Sequence, residues 1–325
     1  MKGWCCDVDY EVYADSRNLS HEEWLGLRKQ GIGGSDAGAI MGVHPYKGAF
    51  GVWADKKGYS EAVEDNEAMR QGRDLEDYVA RRFAEKTGLT VRREYGMMRS
   101  KEHPFMLANI DRRIKGERAG LECKTSRDIY MKRYRNGDFP LEYYCQCLHY
   151  MAVSGWDAWY LAVLVYGTDL KVFKICREEA QDDINKLIEA EQAFWTRYME
   201  EGRTPPPDDF RETGRVLDGM WAADADCWMD ATLTQDATLN ELAALKAEKK
   251  ALEKQITGIE NRLKAEMEEA TELRGTDVLA TWKPQRQRRI SERKIRELYP
   301  MVDISKIREE VQMRRFCVRT EDEDE

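Results

Sequence analysis

At 325 residues the chain has room for one large domain with an appendage, or for two domains. A hydrophobic content of 42% argues against a disordered polymer, and the lack of any run of about 18 apolar residues excludes a membrane-spanning helix. The net charge of −9 excludes a surface coated throughout in positive charge, but not a local basic channel, because DNA affinity follows the phosphates contacted.

The opening Met1-Lys-Gly-Trp-Cys-Cys-Asp7 lacks the apolar core of a signal peptide. Eight scattered cysteines form no C-x-x-C pair, which points to reduced thiols in a cytoplasmic setting rather than a disulfide framework or an iron–sulfur cluster. Ser20-His-Glu-Glu23 is a capping-box pattern, and the helix it opens carries Trp24, Leu27 and Arg28 before ending at Gly31. Ile32 through Gly42 then reads as a glycine-rich turn feeding a short helix. Free N–H groups and the Ser35 hydroxyl there would suit an anion, with Arg28 close enough in sequence to join. Equally, the glycines make a tight turn and Ser35 or Asp36 simply caps the helix; the spacing does not choose.

An amphipathic helix follows, with Leu75, Tyr78, Val79 and Phe83 as its stripe and Thr87-Gly88 as its end. On that helix Glu76 alone reads as a surface carboxylate. Leu89 to Met98 has the composition of a strand. Two apolar runs, Phe105–Ile110 and Ala119–Cys123, flank a basic, glycine-containing connection and predict two strands joined by a turn. Asp111 would end the first strand. In the second, Glu122 and Lys124 would share a face, with Cys123 opposite. Two carboxylates and an ammonium at one point can hold a hard divalent cation and orient a water on it. The same residues also occur by chance on solvated strand edges.

The basic, tyrosine-containing stretch Ile129–Tyr134 suits either a DNA backbone or a helix surface. Phe139-Pro140 starts a helix carrying Tyr143, Tyr144, Gln146, His149 and Met151. By itself Gln146 is an ordinary polar helix residue, and His149 reads as structural, satisfied locally. Trp156–Tyr166 and Leu170–Arg177 form a hairpin completing a mixed sheet. The helical pattern Ile184, Leu187, Ile188, Phe194, Trp195 and Tyr198 is interrupted by Glu191. Pro205-Pro-Pro207 then breaks the chain. From Thr238 to Leu273, Leu242, Lys249, Ile256 and Leu263 recur every seven residues, with Leu245, Leu252 and Ile259 as companions, an a/d heptad. Beyond Gly275 a small β unit is expected, with Val278–Lys283 paired to Arg314–Arg319 around a helix at Ser291–Leu298 and a basic run at Arg286–Arg296.

The D-(x)n-E-x-K spacing of Asp111, Glu122 and Lys124 resembles the PD-(D/E)xK nuclease superfamily, with Ile110 where the name has proline. The W-x-x-x-R-x-x-G-I-G-G-S-D string, Trp24 through Asp36, resembles the opening of the YqaJ-type viral recombinases, a group related to lambda-type phage exonuclease. The resemblance continues through Pro45-Tyr46, Trp53–Gly58, the G-x-x-L-E helix ending at Glu76, and Pro140–Met151 with Gln146.

That resemblance implies an α/β, restriction-endonuclease-like core with a mixed central sheet flanked by helices; the heptads and terminal stretches add a long coiled-coil-like helix and a small terminal α+β unit. It implies that Asp111, Glu122 and Glu76 hold Mg2+, with Mn2+ able to substitute, and that Lys124 activates water. Gln146 would hydrogen-bond that water or orient a ligand, and Arg28 and Ser35 would bind a 5′ phosphate. The activity expected is 5′-to-3′ exonucleolysis from double-stranded DNA ends, leaving 3′ single-stranded tails for phage recombination with a single-strand annealing protein. A structure-specific or restriction-type endonuclease and a non-catalytic end-binding scaffold are the alternatives. The expected organisation is a nuclease core at 1–202, a connector at 203–235, the coiled segment at 236–275 and a basic module with an acidic tail at 276–325. Self-association of the coil stays open. No membrane is involved, and the expected location is the bacterial cytoplasm.

Overall fold

The structure, a computed structural model, describes residues 9–60, 66–127, 132–134, 137–166, 169–221, 228–286, 292–299 and 301–302. It divides into two units, Met1–Trp221 and Ala222–Glu325.

The first unit starts with strand β1 (Tyr10–Asp15) and helix α1 (His21–Arg28). The capping box is present: Ser20 Oγ accepts from the Glu23 amide, and the Glu23 carboxylate accepts from the Ser20 amide at 2.8 Å. Next come β2 (Ile32–Gly33), α2 (Gly34–Ile40), α3 (Ala49–Lys57) and α4 (Glu67–Thr87). Four short strands follow, β3 (Val91–Arg93), β4 (Gly96–Ser100), β5 (Met106–Ala108) and β6 (Arg112–Ile114), then the longer β7 (Ala119–Ser126). Helix α5 (Leu141–Ser154), strands β8 (Ala158–Val165) and β9 (Leu170–Cys176), and helix α6 (Arg177–Phe194) complete the core, with α6 running into a π-helical turn at Trp195–Glu200.

The strands form two sheets. The larger has the order β3-β6-β7-β8-β9; β7 and β8 run parallel and every other neighbour is antiparallel. A parallel pair needs a crossover, and α5 supplies it. Strand β8 is covered on both sides, which explains its unbroken apolar sequence. Trp159, Leu161, Val163 and Val165 face a core shared with Leu148 and Met151 of α5. Ala158, Tyr160 and Ala162 alternate onto the opposite face, against Val79 and Phe83 of α4. This mixed sheet between α4 and α5, in the order α-β-β-β-α-β, is the expected restriction-endonuclease-like α/β core. The smaller sheet has the order β1-β4-β5-β2.

The two sheets correct two readings of the sequence. Leu89–Met98 is not one strand: β3 lies in the larger sheet and β4 in the smaller, with Glu94-Tyr95 crossing between them. Likewise the Phe105–Ile110 run does not pair with β7. Its β5 belongs to the smaller sheet, and the hairpin is β6–β7, turning through Gly116 at φ +86°. Asp111 therefore sits in the link where the chain passes from one sheet to the other. Apolar content predicts that a strand exists but does not say which sheet receives it.

Past the proline run, α7 (Arg211–Met220) buries Thr213 and Val216, and Glu212 and Phe210 lie against Gly51 and Gly48 of the α3 region. The first unit accordingly continues to Trp221 rather than ending near residue 202.

In the second unit, Thr232 and Gln235 cap the 35-residue helix α8 (Leu233–Met267). A hairpin of β10 (Glu272–Arg274) and β11 (Leu279–Thr281) follows, then α9 (Glu292–Leu298). Strand β11 pairs with β10; the expected partner Arg314–Arg319 lies outside the described residues, as do parts of the basic runs at 286–296 and 129–134. Among the described residues no helix is long and apolar enough to cross a membrane.

Candidate active site

Strand β7 places Glu122 and Lys124 on one face, with Cys123 packed against the α4 side of the sheet. Glu122 is only 3% exposed. Its Oε1 accepts hydrogen bonds from Lys124 Nζ at 2.6 Å and from Gln146 Nε2 of α5 at 2.8 Å. Its Oε2 is buried and accepts no hydrogen bond among the described residues. Asp111 is clasped to the same strand: its Oδ2 accepts the Cys123 amide at 2.7 Å. Asp111, Glu122, Lys124 and Gln146 thus meet at one point.

Burial pushes the Asp111 carboxyl well above the usual carboxylate range, and Glu122 and Glu76 push it further. Burial also raises Glu122, with Lys124 opposing. For Lys124, burial disfavours the charge, but Glu122 and Asp111 outweigh it and raise the ammonium above its ordinary value. A close pair of carboxylates, both costly to ionise, with one oxygen lacking any donor, suits a hard divalent cation. Asp111 and Glu122 are the residues that would hold it.

Glu76 is placed differently from expectation. Arg112, 3% exposed, donates Nη1 to Glu76 Oε1 and to the Asp111 carbonyl, both at 2.6 Å, and Nη2 to Asp77. Arg93 Nη2 reaches the same Glu76 oxygen at 3.0 Å. A buried guanidinium must be paired, and this pairing pins α4 to the start of β6 beside Asp111. Glu76 is near enough to raise the pKa of both buried carboxyls, yet its Oε1 is engaged by two arginines. Among the described residues no group of three or more His, Cys, Asp or Glu side chains is gathered closely enough to hold a metal.

The glycine-containing stretch forms a second part of the site. Arg28 Nη2 donates to Ser35 Oγ at 2.8 Å, and the guanidinium lies 4.7 Å from the centre of the Trp24 ring, one helical turn back. Ser35 is exposed, while Asp36 beside it is buried and does the capping, accepting the Gly33 amide at 3.0 Å. Lys56 locks the arrangement, donating to Asp36 Oδ2 at 2.7 Å and to the Arg28 carbonyl at 3.0 Å. Burial opposes a charge on Asp36, but Lys56, Lys47 and Arg28 hold its carboxyl below the usual range. So the two readings of this stretch divide between neighbours: Asp36 caps, and Ser35 is left to pair with Arg28.

Its glycines are needed for closeness rather than for a left-handed turn. A Cβ on Gly31 would meet the Phe105 carbonyl at 2.6 Å, and one on Gly34 would meet the Tyr150 ring at 2.6 Å and Gln146 Cγ at 3.1 Å. Tyr150 accepts Gln146 Nε2 at 2.9 Å. Gly34, Tyr150, Gln146 and Glu122 therefore form one packed chain from the Arg28–Ser35 pair to the carboxylates.

The family model described as YqaJ-like viral recombinase domain matches residues 23–157. The YqaJ protein of Bacillus subtilis (strain 168) is 33% identical over 315 residues, covering 95% of this chain and 97% of that protein. The chain belongs to the YqaJ-like viral recombinase family. Among solved structures, the alkaline exonuclease LHK-Exo of Laribacter hongkongensis is 18% identical, with 55% of this chain and 93% of that chain covered at a TM-score of 0.47. A phage-related exonuclease of Haemophilus somnus 129PT is 17% identical over 55% of this chain and 100% of that one, with a TM-score of 0.37.

The YqaJ-like span contains all seven residues singled out from the sequence, from Arg28 to Gln146. The structure adds Arg112, Lys56 and Tyr150, which support others. Arg112 lay unmarked within a basic cluster, and Tyr150 within an aromatic helix, so their chain neighbours gave no signal. His149 is structural, as read, but not satisfied locally: its Nδ1 meets Glu191 at 2.8 Å and its Nε2 the Leu107 carbonyl at 2.9 Å, both far along the chain. The glutamate that interrupted the apolar stripe of α6 is this fully buried partner.

Because the Gly34 contact leaves no room, Gly34→Ala is expected to cost about 1–3 kcal/mol and to displace Gln146. Urea denaturation checks the first expectation. Gly33→Ala, where a Cβ would meet nothing nearer than 3.7 Å, is the control and should cost less.

Proposed function

We propose that this chain is a metal-dependent deoxyribonuclease that degrades double-stranded DNA from its ends in the 5′-to-3′ direction. Its product is a 3′ single-stranded tail for strand annealing in phage recombination, passed to a single-strand annealing protein. The observation that carries the reading is the buried pair Asp111 and Glu122, with Lys124 bonded to Glu122 and one Glu122 oxygen without a donor. Membership of a viral recombinase family supports it.

A Mg2+ ion held by Asp111 and Glu122, with Mn2+ able to replace it, would neutralise phosphate charge and lower the pKa of water. Lys124 then orients the attacking water and offsets negative charge as the phosphorus is attacked. Gln146 holds Glu122 by Oε1, so Oε2 is the oxygen that would be offered to the ion. Glu76, whose Oε1 is tied by Arg93 and Arg112, acts on the pair through its charge, and its second oxygen is the one it would offer to an ion. Arg28 and Ser35 hold the terminal 5′ phosphate, which sets the direction of digestion.

The test is digestion of linear duplex bearing 5′ phosphate or 5′ hydroxyl, and of circular duplex, each with Mg2+ or EDTA. Loss of linear DNA only, in Mg2+ only, is the expected result. Degradation of circles points instead to an endonuclease, and end binding without cleavage to a scaffold. Ser35→Ala is expected to slow digestion of phosphorylated ends by about tenfold while hydroxyl ends change little, since a hydrogen bond to a charged group contributes about 1.5–3 kcal/mol. Equal rates on both ends in the unmodified protein would remove the phosphate-site assignment.

A further inference from the structure

On α8 the heptad positions Leu245, Leu252, Ile256 and Ile259 are 55%, 50%, 54% and 49% exposed. They form an apolar stripe on a helix of 35 residues, about 50 Å at 1.5 Å per residue, with no cover among the described residues. From Leu245 to Ile259 the stripe runs about 20 Å, a face that suits another helix, and the charges beside it say which one and in which direction.

We propose that α8 pairs antiparallel with α8 of a second copy of this chain. About a twofold axis between Lys250 and Ala251, Leu242 meets Ile259 of the second copy, Leu245 meets Ile256, and Lys249 meets Leu252. The flanking residues then pair favourably: Glu241 with Arg262, Lys246 with Glu253, and Glu248 with the neutral Gln255, each twice by symmetry. A parallel pair in register does worse. It stacks Lys249 on its own copy in the seam and sets Glu248 against Glu253. Lys249 is tolerable at the antiparallel seam because its ammonium already reaches Glu253 of its own helix at 3.7 Å, so the stem lies along the seam and the charge at its rim.

The test is sedimentation of the full chain over a dilution series, with helicity followed by circular dichroism. The expected result is reversible association that Arg262→Glu weakens by about tenfold through two like-charge contacts. The double variant Glu241→Arg with Arg262→Glu should restore it. In the parallel arrangement Arg262 faces Met267, so Arg262→Glu changes nothing, whereas Glu248→Lys strengthens association; either result overturns the proposal. A chain that stays monomeric, or whose association ignores all these variants while remaining helical, also overturns it and leaves the stripe to a different protein.

Discussion

Lys124→Ala is expected to lower cleavage of linear duplex by about 10³-fold or more while end binding persists. Losing one pre-positioned donor at a reacting centre costs about 10²–10³ in rate. Here the same ammonium also offsets two buried carboxylates, because it bonds Glu122 at 2.6 Å and is itself held charged by Glu122 and Asp111. Without it, both carboxyls ionise less readily and the site loses affinity for a divalent cation as well as its water-orienting group. Single-turnover cleavage at several Mg2+ concentrations, beside an electrophoretic binding assay in EDTA, separates the two effects. Full activity in this variant would remove the assignment of the site.

The largest loss of stability is expected from Glu191→Ala, at about 3–5 kcal/mol, because it strands a buried charge. In a unit of this size that lowers Tm by roughly 10 °C. Both His149 ring nitrogens face acceptors, the Glu191 carboxylate and the Leu107 carbonyl, so the doubly protonated ring is the form that satisfies both. Burial opposes that charge, but Glu191 and the Leu107 carbonyl raise the ring's pKa above its ordinary 6.5. A raised histidine contributes stability that is fully present below the unfolded value and lost as pH rises through the folded one. Melting temperatures of the unmodified protein and Glu191→Gln should therefore differ most below pH 6.5 and converge as pH rises above it. A gap that widens with pH would contradict the imidazolium.

Much of this was legible in the residues. Glu122 and Lys124 share a face because strand geometry demands it, and the Ser20–Glu23 capping box is a purely local code. The β8–β9 hairpin followed from two apolar runs and a short polar link. What escaped depended on non-local pairing. Nothing near Asp111 says that β5 before it joins one sheet and β6 after it another. Nor does Glu191, in an otherwise apolar stripe, announce His149, which lies 42 residues earlier. Glu76 shows the same limit from the other side: its helix and position were legible, but its two arginine partners come from strands β3 and β6.

The interleaving of the two sheets also bears on how the protein folds. Strands β3 and β6 are neighbours, yet β4 and β5, which complete the other sheet, lie between them in sequence. Pairing β3 with β6 closes a loop that holds β4 and β5, and such distant pairings are slow because loop entropy is spent before contacts repay it. The first unit should accordingly pass between unfolded and folded without a half-built nuclease centre along the way. Denaturant should abolish cleavage and tertiary structure at one midpoint.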